Sequence, residues 1–149
     1  MLILHIDDDA DDRALFLAAI KKIDLSILHL QAIDAVEGLA ILSANQLQKV
    51  NCIFLDLNMP SINGLSMLAV LKRDPDLKAI PVFIYSTTGN PKEIESVNNL
   101  GGHFLQKQSD FVSLINSLKQ IFQHLFQNGE TSNEYFRRHW NSYTSSFRI

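Results

Sequence analysis

Five short, largely apolar runs alternate along this chain with segments of helical spacing, and four of them stop at a polar or charged residue. The runs are Leu2 to Ile6, Ile27 to Ala32, Cys52 to Leu55, Val82 to Tyr85 and His103 to Gln106. They are continuous rather than alternating, which is how strands covered on both faces read. Strand and helix in strict alternation imply a parallel sheet with helices on both faces and right-handed crossovers, an α/β fold.

The helical segments carry their own punctuation. Ala10 to Lys22 starts among acids and finishes on Lys21-Lys22, the polarity a helix dipole favours. Asp34 caps a second helix through Ser43. A third follows Gly64 and ends at Arg73, before Asp74-Pro75. Asn90 and Pro91 read as an N-cap with proline in first position, and that helix stops near Gly101-Gly102. The last spans Phe111 to Phe126, with Phe111, Leu114, Ile115, Leu118, Ile121, Phe122, Leu125 and Phe126 on one broad face.

Composition bounds the function. A chain of 149 residues, 46% hydrophobic and 19% charged, builds a core without metal or crosslinks. A single cysteine, Cys52, excludes an internal disulfide and zinc sites built on cysteine pairs; it reads as a small buried hydrophobe. A net charge of −3 argues against broad electrostatic binding of nucleic acid. No apolar run approaches the roughly 18–20 residues of a membrane span. Met1 to His5 has neither a basic segment nor a cleavage site, so no signal peptide is read there. The expectation is a cytoplasmic protein that binds neither nucleic acid nor membrane.

Charge is unevenly placed. Five of the 16 acidic residues are Asp7, Asp8, Asp9, Asp11 and Asp12. In an open parallel sheet, ligands bind at the carboxyl ends of the strands. Those ends carry Asp7-Asp8, Asp56, Ser86 and Lys107, so one edge gathers three carboxylates, a hydroxyl and an ammonium. Clustered carboxylates repel, and a hard divalent cation resolves the repulsion. Mg²⁺ takes one or two carboxylates, waters and a phosphate oxygen, which suits a phosphate-handling site. A lysine supplies point charge for phosphate oxygens, and an aspartate can itself be the nucleophile. Phosphoryl transfer needs mainly positioning and charge neutralisation, which this set supplies.

The motifs Ile6-Asp7-Asp8-Asp9, Phe54-Leu55-Asp56-Leu57-Asn58-Met59-Pro60 with Gly64, Ile80-Pro81-Val82 through Ser86-Thr87, and Lys107 occur in this order and spacing. On them the chain resembles a response-regulator receiver domain, similar to the bacterial chemotaxis response regulator, over roughly residues 2–126. The resemblance implies a flavodoxin-like five-stranded sheet in the order 2-1-3-4-5, with residues 1–126 as the receiver and 127–149 as an aromatic-rich extension. It implies a stand-alone two-component switch, with a sensor histidine kinase or phosphotransfer protein as partner. Asp56 would be the phosphoacceptor. Mg²⁺ would be held by Asp7, Asp8, Asp56 and the backbone carbonyl of Asn58. Ser86 and Lys107 would hold the phosphoryl group, Ser86 and Phe104 would form the switch, and Asn58 with Thr88 would tune dephosphorylation. The usual output surface is the fourth helix, fifth strand and fifth helix, which, like the extension, is a candidate dimer face.

Two departures stand out. The family usually has proline after the lysine, where this chain has Gln108; some stand-alone receivers that partner bacterial phytochromes share this, and the chain also resembles them around Asp11-Asp12-Arg13. Thr88 stands where many relatives have an acidic or amide residue. Since only residues 127–149 follow the last receiver helix, output is expected through protein contact, phosphate relay or dimerisation.

Rival readings exist. Asp7 and Asp9 have the Asp-x-Asp spacing of haloacid dehalogenase phosphatases, but Ala10 and Asp11 stand where a hydroxyl usually follows, and no cap domain fits. A phosphorylation-independent interaction module is the other rival. Asp9, Asp11 and Asp12 read as solvated helix-dipole residues and His5 as a satisfied core histidine. In the extension, Thr131 and Glu134 have capping-box spacing, and Phe136, Trp140 and Tyr143 share a helical face. A tail helix, packed on its own domain or on a partner, is expected there.

Overall fold

The computed structural model describes residues 1–44 and 49–127. Its elements run β1 (Leu2–Ile6), α1 (Ala10–Ile23), β2 (Leu28–Ala32), α2 (Ala35–Ala44), β3 (Cys52–Leu55), α3 (Gly64–Arg73), β4 (Val82–Ser86), α4 (Pro91–Asn99), β5 (His103–Gln106) and α5 (Phe111–Gln127). The strands form one sheet in the order β2-β1-β3-β4-β5, and every neighbouring pair is parallel. The expected topology is the observed one. The expected tail helix lies outside the described residues.

Register turns the apolar runs into two layers. β1 sits between β2 and β3, pairing Ile6 with Ala32 on one side and with Leu55 on the other. Successive side chains point to opposite faces of a strand. Leu2, Leu4 and Ile6 therefore pack with Met67, Leu68 and Leu71 of α3 and Val97 of α4. Ile3 instead packs with Phe16 and Ile20 of α1 and Leu118 and Phe122 of α5. Phe54 and Phe83 pair across β3 and β4 and stack at 5.1 Å between ring centroids. Cys52 is buried, and desolvation raises its thiol pKa, which leaves it inert.

Caps hold the helix ends; those of α4 are the ones the sequence suggested, whereas Asp9, expected to be solvated, caps α1. Asp9 accepts the backbone N–H groups of Asp11 and Asp12 at the start of α1. Asn90 and Glu93 form a reciprocal capping box with Pro91 in the first turn of α4. Gly101, at φ +81°, leads the chain out of α4 in a conformation that suits glycine.

Two expectations need correction. Coverage on both faces holds along β1, β3 and β4, which are buried throughout, but not along β2. β2 is an edge strand with a single neighbour, and Leu28 is 50% exposed. His5 is a core residue but not a satisfied one. It is fully buried, and neither ring nitrogen has a hydrogen-bond partner. The nearest polar atom paired with it, Asp7 Oδ2, is 3.7 Å from Nε2. Its ring packs instead on Phe16, with centroids 4.1 Å apart.

Candidate functional site

Parallel strands end on the same edge of a sheet, and that geometry assembles the site. β1 delivers Asp7 and Asp8, β3 delivers Asp56, β4 ends on Ser86, and Lys107 follows β5. Backbone bonds align these ends: Asp56 N–H donates to Ile6 C=O at 2.8 Å, and Lys107 N–H donates to Ser86 C=O at 2.9 Å. Asp7, Asp56 and Ser86 are buried, whereas Asp8 is exposed. One carboxylate oxygen from each of Asp7, Asp8 and Asp56 lies within 4.8 Å of the others. Three oxygen donors so close match the chemistry of a small, hard divalent cation.

Lys107 sits at the centre of the charge. Its Nζ lies 2.6 Å from Asp12 Oδ2, 2.7 Å from Asp7 Oδ2 and 3.2 Å from Asp56 Oδ1. It also lies 5.5 Å from the ring centroid of Tyr85, a cation–π distance. Burial works to lower its pKa, but the bonds to Asp12 and Asp7 outweigh burial and raise it, so the side chain is a permanent cation. Burial works to raise the Asp7 carboxyl, yet the His5 ring, Lys107 and the Asp9 N–H bring it below the usual carboxylate range. Asp56 differs. Burial, aided by the Asp7 charge, raises its carboxyl against the pull of Lys107. Tyr85 is pushed up to about 12 by burial and stays a neutral phenol.

The two loops flanking Asp56 are joined. Asn58 N–H donates to Asp56 Oδ2 at 3.1 Å, and Asn58 Nδ2 donates to Thr88 Oγ1 at 3.0 Å. Thr88 N–H reaches Ser86 Oγ at 3.4 Å. Gly64 lets α3 start against this loop: a Cβ there would lie 2.4 Å from the Asp56 carbonyl oxygen. Phe104 is buried, with its ring beneath Gly89; a Cβ on Gly89 would lie 2.2 Å from Phe104 Cζ.

All the residues read from sequence as the site occupy this edge or the loops and strand bordering it. The reading missed Asp12. Expected as a solvated dipole residue, it makes the shortest contact to Lys107, and only part of its side chain is exposed. One signal was available: an acid in the first turn after β1 stands on the same edge as the strand ends. Asp9 caps α1, so the Asp-x-Asp pairing does not form a carboxylate pair in the cluster. Tyr85 beneath the lysine had no signal beyond being a strand aromatic. The peptide bond between Lys107 and Gln108 is trans.

Comparison with known proteins agrees with this architecture. Residues 3–119 match the response regulator receiver domain. Response regulator Rcp1 of Synechocystis sp. is 33% identical over 100 residues, 62% of this chain and 66% of that protein. Two-component response regulator ORR6 of Oryza sativa subsp. japonica is 30% identical over 94 residues, 63% of this chain and 54% of that one. The matched regions thus span between half and two thirds of these relatives. Among solved structures, the phosphorylated cyanobacterial phytochrome response regulator RcpA aligns with a TM-score of 0.76 and 28% identity, over 86% of this chain and 95% of that one. The Mn²⁺-bound form of response regulator Rcp1 aligns with a TM-score of 0.74 and 26% identity, over 85% of this chain and 95% of that one. Among the described residues, no helix is long and apolar enough to cross a membrane. With its sheet order, its clustered aspartates and the family match over most of its length, the chain belongs to the response regulator receiver domains of two-component signalling.

Proposed function

We propose that the chain is a phosphorylation-controlled switch in which Asp56 accepts a phosphoryl group from a histidine kinase or phosphotransfer protein. The observation that carries this reading is the meeting of Asp7, Asp8 and Asp56 with the Lys107 ammonium at one strand edge. The three carboxylates fit Mg²⁺, and the backbone carbonyl of Asn58 would be a further ligand. When bound, the cation neutralises charge on the transferring phosphoryl oxygens.

The chain's own residues do the rest. A carboxylate oxygen of Asp56 forms the new O–P bond as the N–P bond of the donor histidine breaks. The Asn58 N–H, on Asp56 Oδ2, helps to orient the nucleophile. Lys107, 3.2 Å from Asp56 Oδ1, takes up charge that develops on the phosphoryl group. Ser86 donates its hydroxyl to a phosphoryl oxygen. Phe104, under the Gly89 loop, follows Ser86 and carries the change to the surface of α4, β5 and α5. Asn58 and Thr88, bonded to each other, border the approach of hydrolytic water and set the lifetime of the acyl phosphate.

Residues 1–126 form the switch on this reading, and 127–149 form an extension for contact with a partner or a second copy. Output is a protein contact or a phosphate relay, with no turnover of a separate substrate, and the setting is the cytoplasm. Wild type and Asp56→Asn are incubated with acetyl phosphate, with Mg²⁺ or with EDTA, and intact mass is read. The expected result is one phosphoryl group on wild type alone, abolished by EDTA. Equal labelling of Asp56→Asn, or no labelling together with no Mg²⁺ binding, overturns the reading.

A further inference from the structure

Lys107 has three ammonium protons and faces three carboxylates, and those carboxylates are not equivalent. Its shortest contacts, to Asp12 at 2.6 Å and Asp7 at 2.7 Å, are hydrogen bonds. The approach to Asp56, at 3.2 Å, is an ion pair. On the reading above, Asp7 and Asp56 also face the divalent cation, and Asp56 becomes esterified. Cation binding draws the Asp7 and Asp56 carboxylates away from the lysine and adds repulsion at short range, and phosphorylation replaces the Asp56 carboxylate by a phosphoryl group farther from it. Asp12 stands apart. It belongs to the first turn of α1, outside the Asp7, Asp8 and Asp56 cluster. Its backbone N–H is already bound by the Asp9 cap, so its position on the helix is set independently of the cation.

We infer that Asp12 is a positioning residue for phosphoryl transfer, its carboxylate anchoring the Lys107 ammonium beside Asp56 while the divalent cation engages Asp7 and Asp56. The inference rests on Asp56 being the phosphoacceptor. Its physical basis is the flexibility of lysine. The ammonium rides on a four-carbon stem with much rotamer freedom, and a charge-assisted bond at 2.6 Å is a strong restraint on it. Without Asp12, the cation drives the lysine toward solvent, and the transition state must recover it.

The test is a double-mutant cycle on phosphorylation by acetyl phosphate at saturating Mg²⁺, followed by intact mass, with Mg²⁺ affinity measured separately by calorimetry. Asp12→Ala and the isosteric Asp12→Asn are expected to slow phosphorylation at least about tenfold, the scale of one charge-assisted bond. Mg²⁺ affinity stays within about twofold, because Asp12 is not a ligand. Asp12→Glu restores most of the rate. In a Lys107→Ala background, Asp12→Ala adds nothing, since the residue acts through the lysine. Rates within about twofold of wild type for Asp12→Ala and Asp12→Asn, or an equal loss with and without Lys107, overturn the inference and leave the phosphoacceptor reading intact. Failure of wild type itself to gain a phosphoryl group while binding no Mg²⁺ overturns both.

Discussion

The two faces of the sheet are packed with different materials. The layer under α1 and α5 is aromatic: His5 packs on Phe16, Phe16 on Phe54 (4.9 Å between centroids) and Tyr85 (5.6 Å), and Phe54 on Phe83. The layer under α2, α3 and α4 is aliphatic, with Phe104 as the one buried aromatic ring in its cluster. Rings are stiff and pack with few rotamers. The aromatic layer therefore makes a rigid bed whose upper end, Tyr85, lies beneath Lys107. The aliphatic layer borders the two loops of the site, where Gly64 and Gly89 allow backbone and ring to approach closely. One face supports the charges, and the other gives the loops room to rearrange.

The largest effect should come from breaking the aromatic bed. Phe54→Ala removes a fully buried ring that stacks on Phe83 and tilts onto Phe16, and should cost about 4 kcal/mol in urea unfolding. Leu68→Ala, equally buried in the aliphatic layer, should cost about 3 kcal/mol in the same measurement. If Leu68 proves the costlier, the aromatic layer is not the stiffer support.

Gly64→Ala sharpens the comparison on the loop side. The new Cβ meets backbone on both sides, 2.4 Å from the Asp56 carbonyl and 2.9 Å from Leu57 Cα, so the chain itself must shift. A loss of about 2 kcal/mol in urea unfolding is expected, together with weakened Mg²⁺ binding by calorimetry, because the displaced segment carries Asp56.

Acid should attack the aromatic face. Burial lowers the pKa of both His5 and His29, the latter to about 4. The unfolded chain binds protons near pH 6.5, and the folded histidines do not. Stability from these groups is therefore complete above about pH 6.5 and lost as pH falls toward 4. Urea midpoints should drop between about pH 7.5 and 5, and His29→Phe should flatten that slope. An unchanged slope in His29→Phe would assign the acid sensitivity elsewhere.

The smallest effects belong to the switch loop. Gly89→Ala should expel the Phe104 ring at a cost of about 1 kcal/mol, and the nuclear Overhauser contacts between Phe104 and residue 89 should vanish. Thr88→Val removes the acceptor for Asn58 Nδ2, an exposed bond worth under about 1 kcal/mol. Its expected signature is an altered acyl-phosphate lifetime with an almost unchanged urea midpoint.

What the sequence by itself determined is the edge. Once short strands alternate with helices, the sheet is parallel and every strand points the same way, so Asp7, Asp8, Asp56, Ser86 and Lys107 had to converge. Their spacing within the chain, not their contacts, carries that information. The caps at Asn90 and Gly101 were legible for a related reason: each depends on residues a few positions away.

Tertiary structure decided everything that depends on where a side chain comes to rest. The bond from Lys107 to Asp12 joins residues 95 positions apart and depends on how far α1 and the end of β5 lie from one another. Whether a strand aromatic lies below the lysine, whether a buried histidine finds a partner, and whether β2 is covered are settled by packing of neighbours from distant segments. Local sequence specifies backbone direction and hydrophobic face. Reach, rotamer and desolvation are properties of the assembled core, and the fine electrostatics of this site follow from them.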